Sequence, residues 1–443
     1  HLLPAPTGIR HTDCGLPRGE NVLTLDLVVA CFLIMRIGHY AYDPVARGGI
    51  ASYIRRLATA QRERGDDVLL LSRDALIEET AVPAERVPDA AALFRAAEAH
   101  QLDVLHLHRP VEEVPTDRVP TVRTMHDNRG SCPSGSRFLA RTETPCDRTF
   151  SLSGCLWGHL VDHCGSRRPH RIVENFAAID QEQHLASLLP TMTVSDYVRE
   201  SMIESGAPPD NLYTVPSPAP IVTGPVPPPP RGESPRFVYV GRIEPNKGLD
   251  WFLRALERCP EVVADVAGTG TEAYVKFIKR RAEELGLTDR VTFHGWLSEP
   301  DVYALYRRAR AVVVPSLWHE PAGLVTLEAA ASARPVIASR VGGIPEYATS
   351  DFALLSDPGD VAGLADHIAT LAADWERAWD MGQAGRETAQ TKHAVSSFLD
   401  EVDRIYSLAA PMERLPSGPQ STSAVDSETE PPSPSPYTKE RAA

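Results

Sequence analysis

The stretch VPSPAPIVTGPVPPPPRGESP (215–235), followed at once by RFVYVG (236–241), decides how the 443-residue chain is organised. So many prolines exclude a helix or the interior of a sheet, and they predict a semi-rigid extended linker. RFVYVG is a short apolar run of the kind that forms a buried strand. Because the chain is too long for one ordinary hydrophobic core, we place a boundary between two domains at the linker.

Both sides of the linker alternate apolar strands with amphipathic helices. Near-continuous apolar strands separated by helices are typical of a parallel sheet covered on both faces. The predicted fold class is therefore α/β, with two Rossmann-like, doubly wound domains that face each other across a cleft. The predicted strands are 36–41, 68–72, 103–108, 121–126, 191–195, 236–241, 262–268, 291–295, 311–316 and 335–339, and the predicted helices include 48–65, 247–259, 272–286, 360–373 and 395–408.

The predicted domain boundaries follow from these patterns. Residues before Met35 show no clear periodicity, and MRIGHYA reads as a natural first strand, so we interpret 1–34 as a non-native or disordered extension. The tail is rich in proline and serine and is expected to be disordered. The units are 1–34, an N-terminal domain at 35–214 with a Cys-rich insertion at 127–170, the linker at 215–235, a C-terminal domain at 236–392, a helix at 393–410 that is a candidate to return to the N-terminal domain, and the tail at 411–443.

Composition narrows the possible partners and compartment. Hydrophobic residues make up 42% and charged residues 23%, as in ordinary soluble proteins. The net charge of −14 argues against a nucleic-acid partner. Seven cysteines, an odd number, without a recognisable signal peptide favour a reducing compartment, so we expect a cytoplasmic protein. Basic faces on the helices at 52–65 and 276–286 leave peripheral contact with the inner membrane face open, although a solvated face explains them as well.

HEPAGLVTLE (319–328) places Glu320 and Glu328 on either side of the start of a helix. The first amides of that helix, those of Gly323, Leu324 and Val325, would point into the cleft and form an anion site. With a diphosphate there, one glutamate could hold a hexose and the other the ribose of a nucleotide. The alternative is a capped surface helix with incidental glutamates.

Other candidates follow the strands of both domains. VGRIEPNKGLD (240–250) supplies Arg242 and Lys247, two cations that suit a pyrophosphate. AGTG (267–270), with Gly268, is a weakly specific turn, and a turn with a helix cap explains VGGIPEY (341–347) equally well.

In the first domain, two glycines open a predicted helix and a histidine ends a predicted strand. Gly48 and Gly49 would let a ligand approach the backbone, and His126 would lie over the cleft. A lone histidine is more often structural, but its place at a strand end makes a functional role equally plausible.

Together these motifs resemble the family 4 glycosyltransferases, retaining enzymes of the GT-B fold, over residues 35–408. The most specific parts are the E-x7-E pair of HEPAGLVTLE (319–328), the GR and KG dipeptides within 241–248, and RPVIASRVGGIPE (334–346). The chain departs from the family at VPSPAP (215–220), where the family often carries an asparagine. This departure puts the hinge contacts in doubt but leaves the donor site unaffected.

The resemblance implies a role for each motif. Arg242 and Lys247 would bind the donor diphosphate, Glu320 the donor sugar and Glu328 the ribose hydroxyls. His126 would lie near the transferred sugar, and the backbone of 294–296 would hold the nucleobase. The catalytic candidates are His126, Glu320, Arg242 and Lys247, and the donor-binding candidates are Gly48, Gly49, Arg242, Lys247, Gly268, His294, Gly323, Leu324, Val325 and Glu328.

The function implied by the resemblance is a retaining hexosyltransferase of polysaccharide biosynthesis. It would move a hexose from a UDP- or GDP-linked donor to a hydroxyl of a saccharide, lipid-linked or small-molecule acceptor. No cofactor would be required for catalysis, because Arg and Lys would neutralise the diphosphate. The alternatives are a nucleotide-sugar epimerase of the same fold and an inactive protein that binds sugar nucleotides.

The insertion at 127–170 contains four cysteines: Cys132, Cys146, Cys155 and Cys164. Four thiols can bind zinc tetrahedrally, and such an ion would be structural. The spacings of 13, 8 and 8 intervening residues contain no Cys-x2-Cys knuckle, however. A structural zinc site, two disulfides and four free thiols therefore all remain open.

Overall fold

A computed structural model describes residues 34–44, 48–74, 81–114, 119–231 and 234–409. The chain separates into one unit at His1–Ile34 and a second at Met35–Ala443. The expectations for 1–33 and for 411–443 therefore lie outside the described residues. Among the described residues, no helix is both long and apolar enough to cross a membrane.

Two parallel sheets confirm the predicted α/β fold class. The first sheet has seven strands in the order β3-β2-β1-β4-β5-β8-β9, and the second has six in the order β12-β11-β10-β13-β14-β15. A short antiparallel ribbon, β6-β7, lies in the Cys-rich insertion. The strands are β1 (Arg36–Ala41), β2 (Asp67–Ser72), β3 (Ala84–Arg86), β4 (Val104–Leu107), β5 (Thr121–Met125), β6 (Phe138–Leu139), β7 (Thr144–Pro145), β8 (Thr191–Thr193), β9 (Leu212–Thr214), β10 (Arg236–Val240), β11 (Val263–Ala267), β12 (Val291–Gly295), β13 (Ala311–Val314), β14 (Val336–Ser339) and β15 (Ala353–Ser356).

Helices cover both faces of each sheet, as the apolar runs of the strands require. In the first lobe, Ile37 of β1 packs into the cluster on one face, and Tyr40 packs into the cluster on the other. The helices are α1 (Gly49–Arg64), α2 (Ala90–Ala99), α3 (Leu152–Leu160), α4 (Pro169–Leu188), α5 (Asp196–Glu204), α6 (Leu249–Glu257), α7 (Glu272–Glu284), α8 (Glu299–Arg308), α9 (Leu324–Ala331), α10 (Ile344–Tyr347), α11 (Val361–Ala373), α12 (Trp375–Thr391) and α13 (Val395–Ala409).

The last helix packs on the first lobe although it follows the second lobe in sequence. Phe398, Val402 and Tyr406 of α13 belong to the same apolar cluster as α1 and β1. Between the lobes, the described part of 215–235 forms no helix or strand. It runs along the second lobe, where Arg334 donates a hydrogen bond to the Pro227 carbonyl and Trp375 donates one to the Pro229 carbonyl.

Both strand orders place a switch point beside the first strand of the sheet. In the first sheet the direction of winding reverses between β1 and β4, and in the second between β10 and β13. Ligands of open parallel sheets bind outside the carboxyl ends of the strands at such points. The two switch points therefore define where a site is expected on each lobe.

Candidate functional site

A cleft of about 730 Å³ lies between the lobes, at the carboxyl ends of both sheets. Most of the sequence-predicted residues lie along it. Its lining includes Gly48, Gly49, Tyr53, Arg109, His126, Asp127 and Arg129 from the first lobe, and Arg242, Asn246, Lys247, Trp318, Glu320 and Leu324 from the second.

Lys247 lies at the end of a short 3-10 turn, directly before a glycine that the geometry requires. Gly248 has φ of +69°, and a Cβ there would lie 1.7 Å from the carbonyl oxygen of Pro315. Only glycine allows this approach, which brings the turn onto the end of β13. As a result, the Lys247 Nζ donates to Glu320 Oε1 at 2.6 Å and lies 4.9 Å from the centre of the Trp318 ring.

Glu320 is held from both sides. The Ser316 hydroxyl donates to the same Oε1 at 2.6 Å. Behind it, Gly342 packs so closely that a Cβ would lie 2.4 Å from the Glu320 carbonyl oxygen, and the Gly343 amide donates to that oxygen at 2.7 Å. The VGGIPE motif therefore shapes the loop that carries Glu320. The carboxylate keeps Oε2 for a ligand facing the cleft.

The N-terminus of α9 opens beside Glu320. Helix geometry leaves the amides of Gly323, Leu324 and Val325 without an intrahelical acceptor. The Leu324 side chain reaches the cleft lining, and its Cδ1 would lie 3.2 Å from a Cβ on Gly49. The start of α9 thus faces the start of α1 across the cleft, and the two helix N-termini direct their positive dipole ends towards the same space.

Arg242 lines the same cleft but is more exposed to solvent than Lys247. Its side chain is 60% exposed and pairs with Glu244 at 2.9 Å, a contact that a ligand anion can displace at little cost.

Glu328 lies in an adjoining pocket of about 440 Å³, which also contains Trp296, Leu297 and Tyr303. It accepts hydrogen bonds from Arg56 of α1 at 2.9 Å and from the Tyr306 hydroxyl at 3.3 Å. Gly48 lines both this pocket and the main cleft, so the two spaces are continuous. The Arg56–Glu328 ion pair crosses between the lobes.

Four candidates, Gly268, His294, Gly323 and Val325, lie outside the lining of both spaces, and of these Gly323 and Val325 belong to the start of α9. Gly268 has φ of +146°, and a Cβ there would lie 1.7 Å from the Gly241 carbonyl oxygen, so packing against β10 accounts for this glycine. The His294 ring is bonded to buried Asp265 at 2.7 Å. The neighbouring Trp296 and Leu297 line the pocket instead.

His126 is the cleft end of a buried row of imidazoles. Its Nε2 lies 3.0 Å from His108 Nδ1, and His108 Nε2 lies 3.0 Å from His39 Nδ1. The row ends at Gln61, whose Oε1 lies 2.7 Å from His39 Nε2. Gln61 Nε2 in turn donates to the Tyr406 hydroxyl at 3.1 Å, which carries the network into α13.

This row determines which nitrogen of His126 carries the proton. The Gln61 oxygen only accepts, so His39 Nε2 carries a hydrogen and its Nδ1 accepts from His108. By the same step, His108 Nδ1 accepts from His126 Nε2–H. His126 therefore presents an unprotonated Nδ1. The assignment depends on the orientation of the Gln61 amide, which its donation to Tyr406 defines.

The histidines of this row are neutral at physiological pH because they are buried. Desolvation lowers the pKa of His126 to about 3 and that of His39 to about 4. It also holds the pKa values of His106 and His108 well below 6.5, with repulsion from neighbouring imidazoles as a second cause. The first lobe thus offers the cleft a neutral hydrogen-bonding group rather than a cation.

The lobes are joined beneath the cleft through the VGGIPEY segment, where sequence alone indicated only a turn and a cap. The Glu346 carboxylate accepts the amides of Asp196 and Tyr197, both at 2.8 Å, and so caps α5 of the other lobe. Tyr347 donates to the Val194 carbonyl and accepts the amide of Ser217 at 2.9 Å. The last contact anchors the VPSPAP segment, whose hinge contacts were in doubt.

Sequence patterns missed several residues of the cleft. Arg109, which pairs with Asp127 at 3.1 Å, and Arg56 are brought to the site only by folding. The one available signal was that Arg109 and Asp127 each directly follow a predicted strand.

The four cysteines of the insertion come together beside the cleft. All four are free thiols and line one small cavity, which also contains Ser134, Arg137 and His159. Ser134 lines the cleft as well. Burial, followed by the nearby Cys132, raises the pKa of the Cys164 thiol to about 12.

Comparison with known proteins finds relatives in both sequence and fold. Residues 226–388 match the family model described as glycosyl transferases group 1. The chain is 35% identical over 184 residues to a D-inositol 3-phosphate glycosyltransferase of Corynebacterium efficiens, a match that covers 40% of this chain and 43% of that protein. It is also 35% identical over 173 residues to a GDP-mannose-dependent alpha-(1-6)-phosphatidylinositol monomannoside mannosyltransferase of Mycobacterium tuberculosis, covering 36% of this chain and 44% of the relative.

The matched segment thus spans less than half the length of either relative. Among solved structures, Anabaena HepE in complex with UDP-glucose aligns with a TM-score of 0.63 at 19% identity, covering 84% of this chain and all of HepE. At that identity the likeness shows the fold, and it extends the GT-B architecture to both lobes.

Proposed function

Because residues 226–388 belong to the glycosyl transferases group 1 family, we propose that this chain transfers a hexose from a nucleoside-diphosphate sugar to an acceptor hydroxyl, with retention of anomeric configuration. The observation that carries the proposal is the convergence of Lys247, Glu320 and the α9 N-terminus on the cleft that His126 faces.

The diphosphate is proposed to lie between Lys247, Arg242 and the first amides of α9. Lys247 has three donors, so it can keep its bond to Glu320 while donating to a phosphate oxygen. Arg242 adds a second cation at little cost, because its present partner is solvent-exposed. These groups would stabilise the charge that grows on the departing nucleoside diphosphate.

The rest of the donor would extend to both sides of the diphosphate. On one side, the free oxygen of Glu320 would accept a hexose hydroxyl. On the other, the pocket containing Glu328 and Trp296 suits a nucleoside, with the carboxylate on the ribose and the indole beside the base. HepE, whose fold this chain shares, is seen with UDP-glucose, and the mycobacterial relative is named for GDP-mannose. The base is left to experiment.

The proposed transfer takes place on one face of the sugar. The bond from the anomeric carbon to the diphosphate oxygen breaks, and a bond from the acceptor oxygen forms on the same side. The acceptor proton passes to the departing diphosphate. His126 would hold a hydroxyl of the transferred sugar through Nδ1, as an acceptor fixed in place by the buried row.

A panel of nucleotide sugars with the full-length chain tests this function. We expect one nucleoside diphosphate to bind by calorimetry, slow release of its hexose without acceptor, and an α-linked product from an α-linked donor by proton NMR. A β-linked product would contradict retention. Conversion of the sugar itself, with no release of nucleotide, would instead indicate an epimerase.

The acceptor is proposed to be a saccharide or a lipid-linked sugar. Two arginines of the basic α1 face are engaged within the fold: Arg56 pairs with Glu328, and Arg64 pairs with Asp66 and Asp403. Sedimentation with vesicles containing anionic lipid tests whether the remaining surface binds a membrane.

A further inference from the structure

We propose that the four cysteines of the insertion form a structural zinc site that holds one wall of the cleft. They come from four separate places in the chain: Cys132 from the turn after β5, Cys146 from the end of β7, Cys155 from α3, and Cys164 from the loop after α3. All four nevertheless line the same enclosed cavity.

The size of this cavity favours a single ion. Its volume is about 20 Å³, close to the space that one water molecule needs. An iron–sulfur cluster of several atoms would require far more room. Zinc is the metal that four thiolates most commonly bind as a single structural ion in proteins.

The groups around the cavity lack the partners that a zinc–thiolate centre would supply. Arg137 is 5% exposed, lines the cavity, and has no hydrogen-bond partner for Nε or Nη2. Arg148 also lines the cavity, but it is already paired with Asp162 at 2.6 Å. Four thiolates around one divalent ion carry two negative charges, part of which the Arg137 guanidinium would balance, and thiolate sulfur would accept the unpartnered N–H groups of Arg137.

A second buried group points to a missing cation. His159 is fully buried, and its Nδ1 is bonded to the Ser166 carbonyl at 2.9 Å. Nδ1 must therefore carry the proton, which leaves a lone pair on Nε2, and that atom has no partner. Burying an unpartnered lone pair beside an apolar cavity costs desolvation free energy, whereas a nearby cation would stabilise the lone pair.

The insertion also lacks the apolar core that would otherwise order it. Of residues 127–170, all of which the structure describes, only Phe138 is a buried hydrophobic side chain. Leu152, Leu156 and Trp157 of α3 are exposed. Segments of about 40 residues with so little core usually depend on a metal or on disulfides.

The thiols surround the cavity loosely. Among the described residues, only the donor atoms of His39, His106 and His108 lie within 4.8 Å of one another as a group of three. The 3.0 Å contact between His39 and His108 accounts for that group. Zinc–sulfur bonds are about 2.3 Å long, so binding would draw the four sulfurs inward and release their protons.

Such an ion would act on the cleft through its neighbours in sequence. Ser134 lines both the cysteine cavity and the cleft. Asp147, next to Cys146, is bonded at 2.8 Å to His319, which precedes Glu320. The ion would therefore fix the loop at 134–136 and the position of His319.

Metal analysis of the untagged full-length chain, purified without chelator, tests the proposal. We expect about one zinc per chain, released when about four thiols are modified with an organomercurial. Cobalt exchanged into the wild-type protein should give the strong thiolate charge-transfer absorption of a tetrahedral four-sulfur site. That measurement does not depend on any variant folding.

Variants then identify the ligands. Cys146→Ser and Cys155→Ser should each lose most of the zinc, whereas Cys259→Ser, which replaces a buried cysteine of the second lobe, should keep it. Folded wild-type protein without zinc, two disulfides by mass spectrometry, or iron with inorganic sulfide would each overturn the proposal.

Discussion

The two sides of the cleft share a topology but differ in chemistry. Both lobes place their site at the switch point beside the first strand of a parallel sheet. The second lobe presents three charged side chains on turns that line the cleft: Lys247, Arg242 and Glu320. The first presents His126, which is neutral and is connected by hydrogen bonds to His108, His39 and Gln61 in the interior of that lobe. The same scaffold thus supplies charge for a diphosphate on one side and a fixed neutral acceptor on the other.

Lowering the pH should destabilise the first lobe more than the second, because the row of buried histidines lies in the first lobe. Because folding lowers the pKa values of these histidines, the unfolded chain takes up protons at a higher pH than the folded chain does. The contribution of the neutral histidines to stability is therefore complete above about pH 6.5 and falls as the pH drops below it. At pH 5.5, one unit below the ordinary histidine pKa, each such histidine lowers the free energy of unfolding by about 1.4 kcal/mol. His319 and His393 shift in the same direction.

Urea unfolding between pH 7.5 and 5 measures this effect, and we expect several protons to be taken up on unfolding. Hydrogen exchange should show β1 and β4 opening before β10 and β13. His184→Gln, at an exposed position, should leave the pH dependence of the free energy of unfolding unchanged. A free energy of unfolding that does not change between pH 7.5 and 5 would mean that the histidine row is not buried and neutral.

Replacing Lys247 tests the charged side. Lys247→Ala should lower kcat/KM for transfer by about 10²–10³, since it removes a cation from the developing diphosphate charge. Steady-state kinetics with the donor found in the panel measures it. Lys276→Ala, a surface lysine paired with Glu272, is the matched control and should retain the wild-type rate. Equal rates for both variants would contradict the assignment.

Replacing Gln61 tests the neutral side without touching the cleft. Gln61→Leu removes the acceptor that orders the histidine row, so kcat should fall about tenfold with little change in donor KM. Gln61→Glu keeps an acceptor for His39 and should recover most of the rate. Nitrogen-15 shifts of His126 report the tautomer. A wild-type tautomer in a slow Gln61→Leu variant would rule out this positioning role.

The ion pair that joins the two sides gives the smallest expected effect. Glu328→Gln should weaken nucleotide binding about tenfold, because a charged acceptor for the ribose is lost. Arg56→Ala breaks the same pair but leaves the carboxylate in place, so affinity should change less than about threefold. Calorimetry distinguishes the two. Equal losses would assign Glu328 to joining the lobes rather than to binding the nucleotide.

Local sequence was enough to predict which residues come to the cleft lining, and their functional roles stay predictions. The E-x7-E pair, the cations near 242–247 and His126 each follow a strand or open a helix, and the carboxyl ends of parallel strands necessarily meet at one edge. Gly268 directly follows β11 and His294 lies within β12, yet neither lines the cleft or the adjoining pocket. Their glycine and imidazole are accounted for by contacts with Gly241 and Asp265.

The sequence by itself determined the two parallel sheets and the motifs that line the cleft between them, because apolar periodicity and turn chemistry are local properties. Only the tertiary structure decided that His126 ends a row reaching Gln61, that Glu346 caps a helix of the other lobe, and that four distant thiols share a cavity. These are contacts between residues from separate elements, so no spacing in the sequence encodes them. The first and third form when the first lobe packs, and the second needs both lobes.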